Sequence, residues 1–166
     1  MSKMALLVIR ITCLVVVGCF FLSYFVISCQ GAEVNISGME AAFGMDKENI
    51  PLDPKPMLFV IPVIALILLL LLSVPSIRKK LENINFPIKI IPFSGIITIL
   101  GGIIGIIMHI IAHNEAIGKI NSQMGGMGIN ISSIYHTGIG FKISVIAFIV
   151  LIIMPFVDKI ILKKSE

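Results

Sequence analysis

Two histidines four residues apart, His109 and His113, stand at the end of a long apolar run and share one face if that run is a helix. Imidazoles at that spacing can grip a metal ion, and His136 further along could add a third ligand. The pair lacks the glutamate of a His-Glu-x-x-His hydrolase, and no cluster of carboxylates or cysteines stands beside it. The expected roles are therefore hydrogen bonding by His109 inside a bundle and an interfacial position for His113. His109, His113 and His136 are the metal candidates, but no metal or other cofactor is expected. Haem is disfavoured further, because no other apolar segment carries a histidine to complete a bis-imidazole pair.

Other spacings carry less chemistry. Gly101-x-x-x-Gly105, with Gly102 adjacent, is the pattern that lets helices approach closely in lipid, and it reads as a packing seam rather than a ligand site. Asn35-Ile36-Ser37 and Asn130-Ile131-Ser132 both fit the N-glycosylation tripeptide, so Asn35 and Asn130 are candidate acceptors in a host that glycosylates. Val26-Ile27-Ser28-Cys29 resembles a lipobox. If Met1 to Arg10 and Ile11 to Phe25 served as a signal, cleavage before Cys29 would leave a lipid-anchored cysteine and three helices. Against that reading, the apolar run is longer than the 7–15 residues typical of a signal. No glycine-rich phosphate loop and no nucleophile, base and orienter set can be assembled, so no enzymatic activity is expected. His109 is essentially the only strong polar group at mid-membrane depth, too little for a self-sufficient ion pathway.

The elements that position these residues follow from composition. Of 166 residues, 57% are hydrophobic and 13% charged, with a mean hydropathy of +1.08; a soluble domain averages about 45–50% and 25%. Charges fall in short stretches between uncharged runs, and four runs approach the roughly 20 residues needed to cross hydrocarbon. The expected fold class is an all-α membrane protein of four transmembrane helices at about 4–28, 57–74, 90–112 and 139–157. The last is short and extends past a snorkelling Lys142. Outer loops would run over 29–56 and 113–141, and an inner loop over 75–89.

Orientation follows from the basic residues. A cytoplasmic N-terminus puts Lys3, Arg10, Arg78, Lys79, Lys80, Lys89, Lys159, Lys163 and Lys164 inside, and only Lys47, Lys55, Lys119 and Lys142 outside. Glu33, Glu40, Asp46, Glu48, Asp53 and Glu115 then fall outside, so the net charge of +4 hides an acidic outer face and a basic inner one. Nucleic acid is a poor partner for that distribution. The expected partners are membrane lipid and, beyond it, other membrane subunits or a second copy of the chain. The expected location is the cell membrane, multi-pass, with both termini cytoplasmic.

Both outer loops contain alternating stretches, Val34-Asn35-Ile36-Ser37 and Ile129-Asn130-Ile131-Ser132. Their period suggests strands, and Glu33–Ser37 pairing with Ile129–Tyr135 would tie the loops into a small β-cap. Met39 to Phe43 suits a short amphipathic turn on the membrane surface. Of the three cysteines, Cys13 and Cys19 lie in the first apolar run and Cys29 has no loop partner, so no disulfide framework is expected.

At Ser28-Cys29-Gln30-Gly31, Val34 and Ser37-Gly38-x-x-Ala41-x-x-Gly44, the chain resembles a group of small uncharacterised prokaryotic membrane proteins. Their first outer loop carries a similar Ser-Cys-x-Gly and Ser-Gly pattern between the first two of four helices. A looser match falls at Thr137-Gly138-x-Gly140-Phe141. The resemblance implies a four-helix topology and no particular activity. Some of that group carry a zinc ribbon, whereas this chain has no paired Cys-x-x-Cys. The functional expectation is a non-catalytic structural, accessory or surface-recognition protein of the membrane. The alternatives are an accessory subunit of a transport complex, a lipoprotein anchored at Cys29, and a metal-binding protein using His109 and His113.

Overall fold

Apolar runs become helices in hydrocarbon because a backbone without water must satisfy its own hydrogen bonds. In a computed structural model of the chain, which describes residues 1–29, 32–44, 54–82, 93–124 and 135–164, helix α1 spans Lys3–Cys19. Strands β1, Ser23–Cys29, and β2, Ala32–Ser37, follow it, and a short helix α2, Gly38–Phe43, comes next. A 3-10 turn at Pro56–Phe59 leads into α3, Val60–Ser73, and then α4, Pro75–Glu82. Helix α5 covers Phe93–Met124, strand β3 Tyr135–Thr137 and helix α6 Ile139–Lys164.

Three helical stretches, Pro56–Ser73, Phe93–Gly118 and Ile139–Ile161, are long and apolar enough to cross a membrane, as in a multi-pass membrane protein. Their outward faces are bare hydrocarbon: Leu66, Ile67, Leu70, Ile103, Ile104, Ile107, Ile146, Ile149 and Ile153 are all exposed. In water such a surface would drive aggregation, whereas in lipid it is the ordinary exterior.

Helix α1 lies against α3 and α6, and α5 lies against both of those, so each of the four packs on two others. The buried stripe of α1, Ala5, Ile9, Cys13, Val16 and Cys19, follows helical spacing, and its Ile9, Cys13 and Val16 share one core with Ile61, Ala65, Leu68 and Leu72 of α3. Polar contacts register the far end. Ser2 caps α1 and gives its own N–H to both carboxylate oxygens of Asp158 on α6, at 3.0 and 3.3 Å, while its hydroxyl also donates to that carboxylate. Arg10 donates from a terminal nitrogen to the carbonyl of Leu72 at 2.6 Å, filling one acceptor in the last turn of α3 that the helix itself cannot satisfy.

The first helix departs from its sequence-based bounds of 4–28. It stops at Cys19, and a turn over Phe20–Leu22 gives way to β1, since Tyr24, Phe25, Val26 and Ile27 are aromatic or β-branched and suit a strand. The chain is therefore not all helical. Both outer segments do supply strands, and among the described residues β1 stands between them. The sheet order is β2-β1-β3, antiparallel throughout, with Ile27 opposite Val34 on one side and Tyr135 on the other. Most of the expected second strand, 129–134, lies outside the described residues.

The later boundaries also move. The expected inner loop at 75–89 begins with α4, and residues 83–89 lie outside the described set. Helix α5 runs past the expected end at 112 to Met124, since the stretch from His113 to Met124 contains no proline and a single glycine, Gly118. His113 is thus helical rather than in a loop. Helix α6 begins at Ile139 as expected and carries Pro155 internally on its way to Lys164. The amphipathic turn at Met39–Phe43 is α2. Its capping box has Ser37 Oγ accepting the Glu40 N–H at 3.1 Å and Glu40 Oε2 accepting the Ser37 N–H at 2.7 Å; Gly44, at φ 69°, closes it.

Candidate functional site

Strand β1 brings aromatic side chains to the upper half of α5. Its pairing with β2 slips between Ser23 and Phe25, and at this irregularity two consecutive side chains, Tyr24 and Phe25, are both buried. Tyr24 reaches His109, and their side chains meet at 3.0 Å between the phenol oxygen and Nε2. On its other nitrogen, His109 Nδ1 lies 2.8 Å from the carbonyl of Gly105, one turn earlier. A carbonyl only accepts, so Nδ1 carries the ring proton, Nε2 is the acceptor and the Tyr24 hydroxyl donates. Burial raises the phenol pKa of Tyr24, and of Tyr135, above the ordinary value, which keeps both in the donor form.

A second, looser pair sits one turn further along α5. The Tyr135 hydroxyl from β3 is 3.4 Å from His113 Nδ1. Phe141, near the start of α6, has ring contacts with both histidines, at 4.9 Å to His109 and 5.9 Å to His113, and with Tyr24 at 5.8 Å. The sheet is thus fastened to α5 by two side-chain hydrogen bonds, set in an aromatic cluster to which α6 adds Phe141.

Beside this cluster opens a cleft of about 320 Å³ between α5 and α6, lined by Ile106, His109, Ile110, His113, Thr137, Phe141 and Val145. His109 and His113 do share one face and one cleft. His136 is exposed, one residue out of step with the buried Tyr135, and pairs across the sheet with Val26. Among the described residues no three of His, Cys, Asp and Glu come together as metal ligands. His109 would have to surrender one of its two hydrogen bonds to ligate anything.

The glycines divide between two jobs. A β-carbon on Gly101 would fall 2.7 Å from Leu68 of α3, one on Gly102 2.6 Å from Ile152 of α6, and one on Gly105 inside the ring of Phe148. Close approach at these three positions draws α5 onto both neighbours. Gly138 and Gly140 act at the junction of helix and sheet. A β-carbon on Gly140 would meet the Cys19 carbonyl at 2.6 Å, and one on Gly138 would collide with the Ser23 carbonyl. Gly138 N–H donates to the Tyr24 carbonyl at 2.8 Å.

Asn35 is exposed on β2, where its Oδ1 accepts the Ser23 hydroxyl at 3.0 Å, and the Ser37 hydroxyl of the same tripeptide is already spent capping α2. Asn130 lies outside the described residues. Cys29 is the last residue of β1, opposite Ala32. Sequence reasoning missed Tyr24, Tyr135 and Phe141. The signal available for Tyr24 was a phenol embedded in a β-branched run, an apolar body with a polar tip that needs a partner when buried. No protein family, curated protein or solved structure matches this chain.

Proposed function

We propose that this is a non-catalytic protein of the cell membrane that crosses the bilayer four times, with both termini cytoplasmic and the sheet-bearing pole outside as a recognition surface. One observation carries the topology. Helix α1 is matched end to end with α6: Ser2 meets Asp158 at one pole, and the Cys19 carbonyl meets Gly140 at the other. The stretch of α6 between those contacts lies within Ile139–Ile161, which is long and apolar enough to span. At 17 residues α1 rises about 26 Å, close to the roughly 30 Å of hydrocarbon. Its outward residues Met4, Leu7, Ile11 and Leu14 are exposed and apolar, as lipid contact requires.

The non-catalytic reading rests on how the ionisable groups near hydrocarbon are used. Arg10 holds a helix end, Asp158 holds Ser2, and His109 holds Tyr24. Each serves structure, which leaves the cap as the place for specificity. Cleavage before Cys29 fits this packing poorly, because it would remove Ile9, Cys13, Val16, Phe20, Tyr24 and Phe25 from the core and sever β1 from β2.

Topology is tested by single cysteines in a background freed of the native ones. Asn35→Cys is expected to react with a membrane-impermeant maleimide on intact cells, while Lys3→Cys and Lys80→Cys react only after permeabilisation. Lys3 reacting like Asn35 would mean that α1 does not cross, and loss of the Lys3 site from the mature protein would favour the lipoprotein. Recognition is tested with a photoreactive residue at Glu33, which is exposed on β2. A discrete cross-linked partner is expected from that position. Capture from Ile104 or Ile153 alone would point instead to an accessory subunit buried in a transport complex.

A further inference from the structure

The cleft between α5 and α6 lies at the small end of the range for small-molecule sites, about 300–1,000 Å³. Its lining changes character along its length. Ile106, Ile110 and Val145 make one end hydrocarbon, Phe141 lies midway, and His113 with Thr137 makes the other end polar. From Ile106 to His113 the helix rises about 10 Å. His109 in the middle offers no free ring nitrogen, since both are committed to Tyr24 and Gly105. At the polar end, the Tyr135 hydroxyl lies 3.4 Å from His113 Nδ1; with that hydroxyl as donor, the His113 proton is on Nε2, which makes no hydrogen bond among the described residues. Thr137, which lines the same end, carries a hydroxyl as a second donor.

What fills the cleft is set by its surroundings. Its α5 residues belong to the apolar stretch Phe93–Gly118, and Phe141 and Val145 belong to Ile139–Ile161, so the neighbouring fluid is lipid rather than water. Ile110 at the rim is 54% exposed to it. Thr137 lies two residues before the α6 stretch, which sets the polar end at the boundary between hydrocarbon and headgroups, the depth at which a glycerolipid carries its ester carbonyls. No lysine or arginine lines the cleft among the described residues, so nothing described in it reads headgroup charge.

We propose that the cleft is a lipid site, holding one acyl chain of a membrane glycerolipid with its ester carbonyl hydrogen-bonded to His113 Nε2 and the Thr137 hydroxyl. The chain lies along Ile106, Ile110 and Val145, and Phe141 closes it from the α6 side. Two donors on an ester are modest individually, so occupancy depends on the apolar length as well as on the polar end.

The test uses the full chain in nanodiscs of phosphatidylcholine bearing a diazirine in one acyl chain, with adducts mapped by mass spectrometry after irradiation. Adducts at Ile106, Ile110 and Val145 are expected to exceed those at Leu100 and Ile153, which are 53% and 50% exposed on lipid-facing surfaces outside the cleft. Val145→Trp, which fills the cleft, is expected to reduce the cleft adducts several-fold and to leave Ile153 unchanged. His113→Leu with Thr137→Val should reduce them about fivefold, the size of two lost hydrogen bonds at the weak end of their range. Exchanging phosphatidylcholine for phosphatidylglycerol should change nothing. Cleft adducts no stronger than those at Leu100 and Ile153, or surviving both sets of substitutions, would show only ordinary boundary lipid and overturn the site. If Val145→Trp is not monodisperse, the His113 and Thr137 double substitution decides, because both residues are only half-buried.

Discussion

Gly138→Ala is expected to lower the melting midpoint of the detergent-solubilised protein by roughly 6–12 °C, corresponding to about 3 kcal/mol. The added methyl would collide with the Ser23 carbonyl. Backbone stands on both sides of that contact, so no side chain can rotate away to relieve it. Retreat of Gly138 would also break its hydrogen bond to the Tyr24 carbonyl and draw β1 away from His109. Gly18→Ala and Gly118→Ala are the controls. Nothing lies within 4 Å of a β-carbon at either helical position, so alanine there should leave the midpoint unchanged or raise it through better helix propensity, worth up to about 1 kcal/mol. If Gly138→Ala melts with these controls, the close approach of the α6 entry to β1 is wrong.

The parts of the fold that were legible are those where one physical force dominates. Charge-free runs mark α3, α5 and α6 because few structures besides membrane helices tolerate them. The end of α1 was hidden, since Tyr24 to Ile27 is as apolar as the helix before it, and a short apolar run has no periodicity that separates strand from helix. That ambiguity also concealed the sheet order. The alternation of β2 was readable, with Val34 and Ile36 buried and Glu33 and Asn35 exposed, but its partner lay inside what reads as a helix. The upper part of α5 was misread for a different reason. Asn114, Glu115 and Lys119 look like loop residues, yet a helix emerging from the membrane tolerates polar side chains, and nothing from His113 to Met124 breaks it. At the site, His109 stood out as a lone polar group in an apolar helix. Its partner did not, because the register between β1 and α5 is a tertiary fact.

That partnership leads to the second large effect. His109→Leu leaves the Tyr24 hydroxyl buried with its acceptor gone, and Tyr24→Phe leaves His109 Nε2 buried without a donor; His109 is 1% exposed and Tyr24 0%. Each single change should cost about 2 kcal/mol, the penalty for a stranded buried polar group. The double variant Tyr24→Phe with His109→Leu strands neither, and Leu fits between Phe141 and Phe148 as another apolar side chain. It should therefore be destabilised by less than the sum of the singles, with a coupling of about 1–2 kcal/mol read from melting midpoints. His113→Leu provides the contrast. Its bond to Tyr135 is long and its ring half-buried, so the change should stay within about 0.5 kcal/mol. Strict additivity of the two single changes would mean that the Tyr24 hydroxyl does not donate to His109 across the sheet–helix junction, and that ring packing and the longer Tyr135–His113 contact hold the cap to α5.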